Sequence, residues 1–214
     1  PVKWFTLAAE QGDANAQYNL GSMYLKSQGV PENDKTAAEW LTLAAEQGHA
    51  DAQFNLGGMY EYGDGVEKNY ETSVKWFTLA AEQGHADAQV DLGVKYANGK
   101  PVRQNHETSL EWFTLAAEQG HADAQYSLGC MYDPLNYEYG DGVEQNHEAS
   151  AKWYTLAAEQ GHAKAVKWYT LAVEKKGTTS DLGLKYGNGE DIEKNKSKKI
   201  HMKPSYTTAP FYKK

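Results

Sequence analysis

The sequence predicts an all-α protein, four near-copies of one helix–loop–helix unit stacked into a solenoid. Three observations predict it. Trp4, Trp40, Trp76 and Trp112 are each separated by 36 residues, and Trp153 follows after 41. The string WFTLAAEQGHADAQ, from Trp76 to Gln89, recurs letter for letter from Trp112 to Gln125. No part of the unit shows the polar–apolar alternation of a strand. A period of this size belongs to arrays of stacked helix pairs, in which each repeat touches only its neighbours.

The elements follow in order within the unit 49–84. Ala50, Ala52, Leu56, Gly57 and Tyr60 recur at i, i+3, i+4 spacing and predict a short first helix. His49 stands at its N-cap, where the first copy has Asp13, a better cap. Gly21, Gly57, Gly93 and Gly129 hold one position, always after Leu. A glycine inside a helix costs about 0.5–1 kcal/mol relative to alanine, so its recurrence predicts a close approach by the partner helix. The loop Tyr62-Gly63-Asp64-Gly65-Val66 has glycines for a tight reversal. Val30, Val66, Val102 and Val143 follow it as plugs between the two helices. Asn69, in register with Asn33, Asn105 and Asn146, caps a second helix carrying Ser73, Val74, Trp76, Phe77, Ala80 and Ala81. That helix stops at Gly84 in the C′ position.

The chain divides accordingly. Residues 1–12 are the second helix of a truncated repeat, and 13–48, 49–84 and 85–120 are repeats 1 to 3. Residues 121–161 are repeat 4 with a five-residue insertion, Asp133-Pro134-Leu135-Asn136-Tyr137. After His162 the Trp-to-Trp spacing drops to 15, so 162–192 reads as degenerate, partly deleted repeats: a terminal cap or an internal deletion. Residues 193–214 form a lysine-rich tail expected to be disordered. Pro1 stands just before what reads as mid-helix, so the expectation is that the natural chain starts upstream, and neither a signal peptide nor a compartment is read from it.

Charge narrows the partners. The net charge is −8, but residues 191–214 carry seven Lys against two acids, leaving 1–190 at −13, with 14 basic against 27 acidic residues. An acidic array repels a phosphate backbone, which argues against nucleic acid. No apolar run approaches the ~18–20 residues that a membrane helix needs. Cys130 is the single cysteine, so no intramolecular disulfide framework exists.

The pattern met by Ala52, Leu56, Gly57, Tyr60, Gly63, Gly65, Val66, Asn69, Ser73, Trp76, Phe77, Ala80, Ala81 and Gly84 resembles the Sel-one-like repeat (SLR), a relative of the tetratricopeptide repeat. It returns from Ala16, Ala88 and Ala124 and covers residues 1–161 almost continuously. Ser27 and Pro101 depart from it by replacing loop glycines, and Ser73 and Ser109 stand where alanine is usual. The resemblance implies an α-α superhelix, a right-handed solenoid of antiparallel helix pairs lined inside by first helices. It also implies a non-enzymatic adaptor or scaffold. Secreted relatives with a disulfide per repeat, some described as β-lactamases, are an alternative that this chain disfavours, because it lacks their cysteines. A fragment of a larger multidomain protein whose function lies elsewhere is the other alternative.

No constellation predicts chemistry. His49, His85, His121 and His162 share one repeat position, so consecutive copies should lie roughly a helix spacing (about 10 Å) apart, too far to share zinc. They read as helix-entry residues, with His106 and His147 as exposed first-turn residues. Acidic pairs such as Glu46 and Asp51 flank the turn between units and read as structural, and Cys130 aligns with Ser22, Gly58 and Val94, which argues against a nucleophile. Gly63-x-Gly65 lacks the rest of any phosphate loop. No catalytic residue, metal site or cofactor is predicted.

Binding is predicted instead. If Ala52, Leu56, Gly57 and Tyr60 face inward, helical geometry turns positions 51, 54, 55, 58 and 62 the other way. Tyr18, Phe54, Val90 and Tyr126 then form one row, Asn19, Asn55, Asp91 and Ser127 a second, and Ser22, Gly58, Val94 and Cys130 a third, with Tyr62 at the end of its helix. This surface is expected to take a protein or peptide, one with basic stretches. The competing reading packs the aromatic row against the adjacent repeat. The oligomeric state is open, with a monomer as the expectation.

Overall fold

The computed structural model describes residues 2–133 and 143–167. Among them are nine α-helices and no strand: α1 (Val2–Glu10), α2 (Ala14–Leu25), α3 (Asp34–Glu46), α4 (Ala50–Tyr62), α5 (Tyr70–Glu82), α6 (Ala86–Asn98), α7 (His106–Glu118), α8 (Ala122–Tyr132) and α9 (His147–Glu159). Helical backbone resumes at residues 163–167. Pro1, the insertion beyond Asp133, the degenerate stretch past residue 167 and the basic tail lie outside the described residues.

The helix boundaries follow from the caps. The side chains of Asn33, Asn69 and Asn105 accept a hydrogen bond from the backbone N–H of Thr36, Thr72 and Thr108, each at 3.0 Å, and Asn146 does the same for Ala149 at 3.1 Å. Each such cap contributes about 1 kcal/mol. The backbone N–H of Asn69 also reaches back to the carbonyl of Tyr60 at 2.9 Å, so one residue starts the second helix and pins it to the first. At the far end Gly84 adopts φ +89°, the left-handed stop that the sequence places there. The loop position of Gly63, at φ +85°, is held in the first copy by Ser27 at φ +51°.

Two compact units divide within α6, one ending at Leu92 and the other beginning at Gly93. In the first, Ala37, Ala38, Leu41, Ala44, Ala45, Ala52, Leu56 and Met59 form the core, with Tyr60, Val66 and Trp76 packed onto it. A smaller cluster of Ala9, Ala16 and Leu20 carries Trp40. In the second unit Cys130, Tyr154, Ala157, Ala158, Ala165 and Val166 pack together. Alanine dominates because it lets helices approach. The few large side chains carry most of the burial term, about 1.5–3 kcal/mol for a fully buried leucine such as Leu56.

The helix glycines are explained by what lies opposite them. A Cβ at Gly57 would sit 2.9 Å from Cδ1 of Phe77, one at Gly93 2.7 Å from Cδ1 of Phe113, and one at Gly129 2.5 Å from Cδ1 of Tyr154. At Gly21 the contact would be Cγ of Leu41 at 2.8 Å. The close approach is therefore made by a large second-helix side chain. Each glycine is the socket for a residue buried to 2 % exposure or less.

Candidate functional site

A joint built on histidine recurs between successive first helices. His85 opens α6, and its Nδ1 accepts the backbone N–H of Ala88 at 3.3 Å. Its Nε2 lies 3.2 Å from Oδ1 of Asp51, in the first turn of α4. Its ring stacks on Phe54 at 4.6 Å between centroids and 21° between planes. His162 repeats the arrangement in the second unit: Nδ1 accepts from Ala165, Nε2 faces Asp123 at 3.2 Å, and the ring stacks on Tyr126 at 4.4 Å. His49 caps α4 and stacks on Tyr18 at 4.5 Å, but the first copy has Asn15 where the others have aspartate. The helix-entry reading of these residues accounts for the cap. It missed the Asp and the ring.

A second joint was not anticipated at all. Gln17, Gln53 and Gln125 are buried, and each donates Nε2–H to the carbonyl of the residue eight positions earlier (Ala9, Ala45, Ala117) at 3.0–3.1 Å. Their Oε1 atoms accept from Gln47, Gln83 and Gln160 at 2.7, 2.6 and 2.7 Å. A buried amide costs stability unless its bonds are made, and here both ends are satisfied. The signal was present: one polar letter unchanged among core letters in every copy.

The predicted binding residues divide by burial. Tyr18, Phe54 and Tyr126 are half-buried against the histidines, so the packing reading of that row describes their contacts. Asn19, Ser22, Asn55, Val90, Asp91, Val94 and Ser127 are also half-buried, and Tyr62 is exposed. Gly58 and Cys130 are buried and present no surface, which corrects their placement. Cys130 accepts a hydrogen bond from the Tyr154 hydroxyl at 3.4 Å. The wheel argument gave each first helix one inner face, whereas α4 packs on both α3 and α5 and is buried over more than half its circumference. His106 is likewise half-buried rather than exposed.

One part of this surface is both aromatic and acidic. Tyr62, at the end of α4, keeps 46 % of its area exposed. Its phenol is held above the ordinary value by partial burial first, then by the carboxylates of Glu61, Asp91 and Asp64. Tyr18 is raised in the same way, by burial and then by Asp51. Among the described residues no three His, Cys, Asp or Glu side chains are grouped to hold a metal ion, and no helix is long and apolar enough to cross a membrane.

Comparison with known proteins agrees with the repeat reading. The Sel1 repeat model matches residues 2–13, 14–49, 50–85, 86–121, 122–162, 163–176 and 180–198. No curated protein matches the chain. Among solved structures, a protective antigen present in uropathogenic Escherichia coli strains and displaying an SLR fold is 33% identical, with a TM-score of 0.78 over 89% of this chain. The chain spans only 40% of that protein's length. A Sel1 repeat protein from Oxalobacter formigenes is 34% identical with a TM-score of 0.76, covering 86% of this chain and 74% of its own. The chain belongs to the Sel1 repeat family, all-α helical-repeat proteins of the α-α superhelix class that generally mediate protein–protein interactions.

Proposed function

We propose that this chain is a non-catalytic scaffold that holds a basic segment of a partner protein against the first-helix surface around Tyr62 and Asp91. The observation that carries the reading is the exposed Tyr62 ring with Glu61, Asp64 and Asp91 around it, contributed by α4, the loop after it and α6. A lysine or arginine there meets carboxylates and an aromatic face together, and such a contact is worth about 0.5–1 kcal/mol at an exposed site. The net charge of −13 over residues 1–190 steers such a partner toward the array. A scaffold role also fits the internal copying. His, Asp and Gln serve the joints between repeats among the described residues.

The test is affinity capture from lysate of the source cell, with mass-spectrometric identification, using the wild-type chain and a Tyr62→Ala/Asp91→Lys variant as parallel baits. Partners retained by the first and lost by the second, with weaker retention at high salt, support the proposal. Identical partner sets on both baits would sink it.

A further inference from the structure

The exposed ring of Tyr62 has a second ring near it. Tyr70 opens α5 and is 45 % exposed, against 46 % for Tyr62 at the end of α4. The Tyr62 phenol is raised by partial burial first, then by Glu61, Asp91 and Asp64, and last by Tyr70, so the two tyrosines share one electrostatic neighbourhood. That neighbourhood already holds a cation. Nζ of Lys68 lies 4.6 Å from the centre of the Tyr70 ring. The loop after α4 brings it there: Gly63 stands at φ +85°, and a Cβ on it would lie 3.3 Å from Cβ of Lys68. A long, exposed side chain gives up rotamer freedom to sit over a ring, and the negative face of the ring is what attracts it. The described copies on either side lack this set. At the positions of Tyr62, Asp64, Lys68 and Tyr70 the first copy has Lys26, Gln28, Glu32 and Asp34, and the third has Asn98, Lys100, Gln104 and His106. Copying of the repeat therefore does not account for it, as it does for the histidine and glutamine joints.

We infer that Lys68 is the resting occupant of a cation seat walled by Tyr62 and Tyr70, and that a lysine or arginine of the partner binds by displacing it. The inference rests on the basic-segment reading and adds its control: the chain competes with its own partner through one side chain. Neutralising Lys68 empties the seat, keeps both rings and all three carboxylates, and tightens binding.

The experiment titrates the full chain into a fluorescently labelled hexa-arginine peptide at low salt and reads polarisation. Lys68→Gln is expected to bind the peptide about two- to five-fold more tightly than Lys152→Gln, the range that one cation–ring contact supports at an exposed site. Lys152 is the matched control: it lies 5.0 Å over Trp153 in the second unit, so its loss removes the same charge and the same kind of contact elsewhere. NMR supplies a second readout. The ε-methylene protons of Lys68, over the Tyr70 ring, are expected upfield in the free chain and should return to ordinary positions as the peptide saturates. Equal affinities for Lys68→Gln and Lys152→Gln, or Lys68 signals that stay upfield at saturation, overturn the inference and leave the basic-segment reading standing. A Tyr62→Ala chain that binds the peptide as tightly as the wild type overturns both.

Discussion

The Nε2 atom of His85 lies 3.2 Å from Oδ1 of Asp51, thirty-four residues earlier, while its Nδ1 accepts the backbone N–H of Ala88. One imidazole thus finishes its own helix and ties it to the first turn of the helix before. The two roles fix the tautomer, because Nδ1 must be bare to accept and Nε2 must carry hydrogen to donate.

In their neutral form His85 and His162 are therefore expected as Nε2–H tautomers, read from ring nitrogen shifts by NMR. His85→Ala should cost about 1–2 kcal/mol, a lost cap plus part of the bond to Asp51, which is over half exposed. His85→Asn, which keeps a cap, should recover part of that loss. Equal destabilisation by both variants in urea titrations would show that the cap contributes nothing.

Gly57→Ala should destabilise by about 1–3 kcal/mol, because its Cβ would stand 2.9 Å from the Phe77 ring, 2 % exposed in the core. Combining it with Phe77→Ala should cost less than the sum, since the methyl then enters space the ring has left. Strict additivity in a double-mutant cycle would contradict the socket description.

The features readable from sequence were those confined to one helix or one loop, the Asn caps and the left-handed Gly84; for Gly57 it predicted a close approach, and the Phe77 side chain that makes it came from the structure. A cap needs a residue three positions away, and an amphipathic face needs the next turn. The His85–Asp51 and Gln83–Gln53 joints bridge copies 34 and 30 residues apart. A helical wheel drawn for one helix has no place for them. Gly58 and Cys130 were misplaced for a related reason: a wheel assumes one buried face, and a first helix in an array has neighbours on several sides. The repeat offered the missing clue in its Gln17, Gln53, Gln89 and Gln125, since a polar letter that does not change beside a core is holding something.

Ser27→Gly should stabilise the chain. Ser27 holds φ +51° at the loop position where the second copy has Gly63, and a side chain in that region costs about 1–2 kcal/mol. Glycine's greater freedom in the unfolded chain takes back part of the gain, leaving about 0.5–1 kcal/mol. A thermal melt that moves down, with the fold intact by circular dichroism, would mean that the serine side chain makes a contact worth more than the strain.

Tyr154 supplies the pH dependence. Burial first, and Cys130 beside it second, hold its phenol far above the ordinary value of 10.0. A folded-state pKa raised in this way means that the stability contribution is complete below the unfolded-chain value and is lost as pH rises past it. Tyr154→Phe cannot ionise. It gives up the hydroxyl contact to Cys130 at 3.4 Å, a weak bond worth at most about 1 kcal/mol near neutrality. Above about pH 10, the unfolded-chain value, its stability should fall less steeply than that of the wild type, so that the two curves converge and the variant becomes the more resistant protein. Tyr18 and Tyr62 are shifted in the same direction and leave a residual slope in the variant. Urea midpoints measured at intervals from neutral to alkaline pH decide the matter. Parallel curves would mean that the Tyr154 phenol titrates in the folded protein much as it does in the unfolded chain, and that its burial does not resist ionisation.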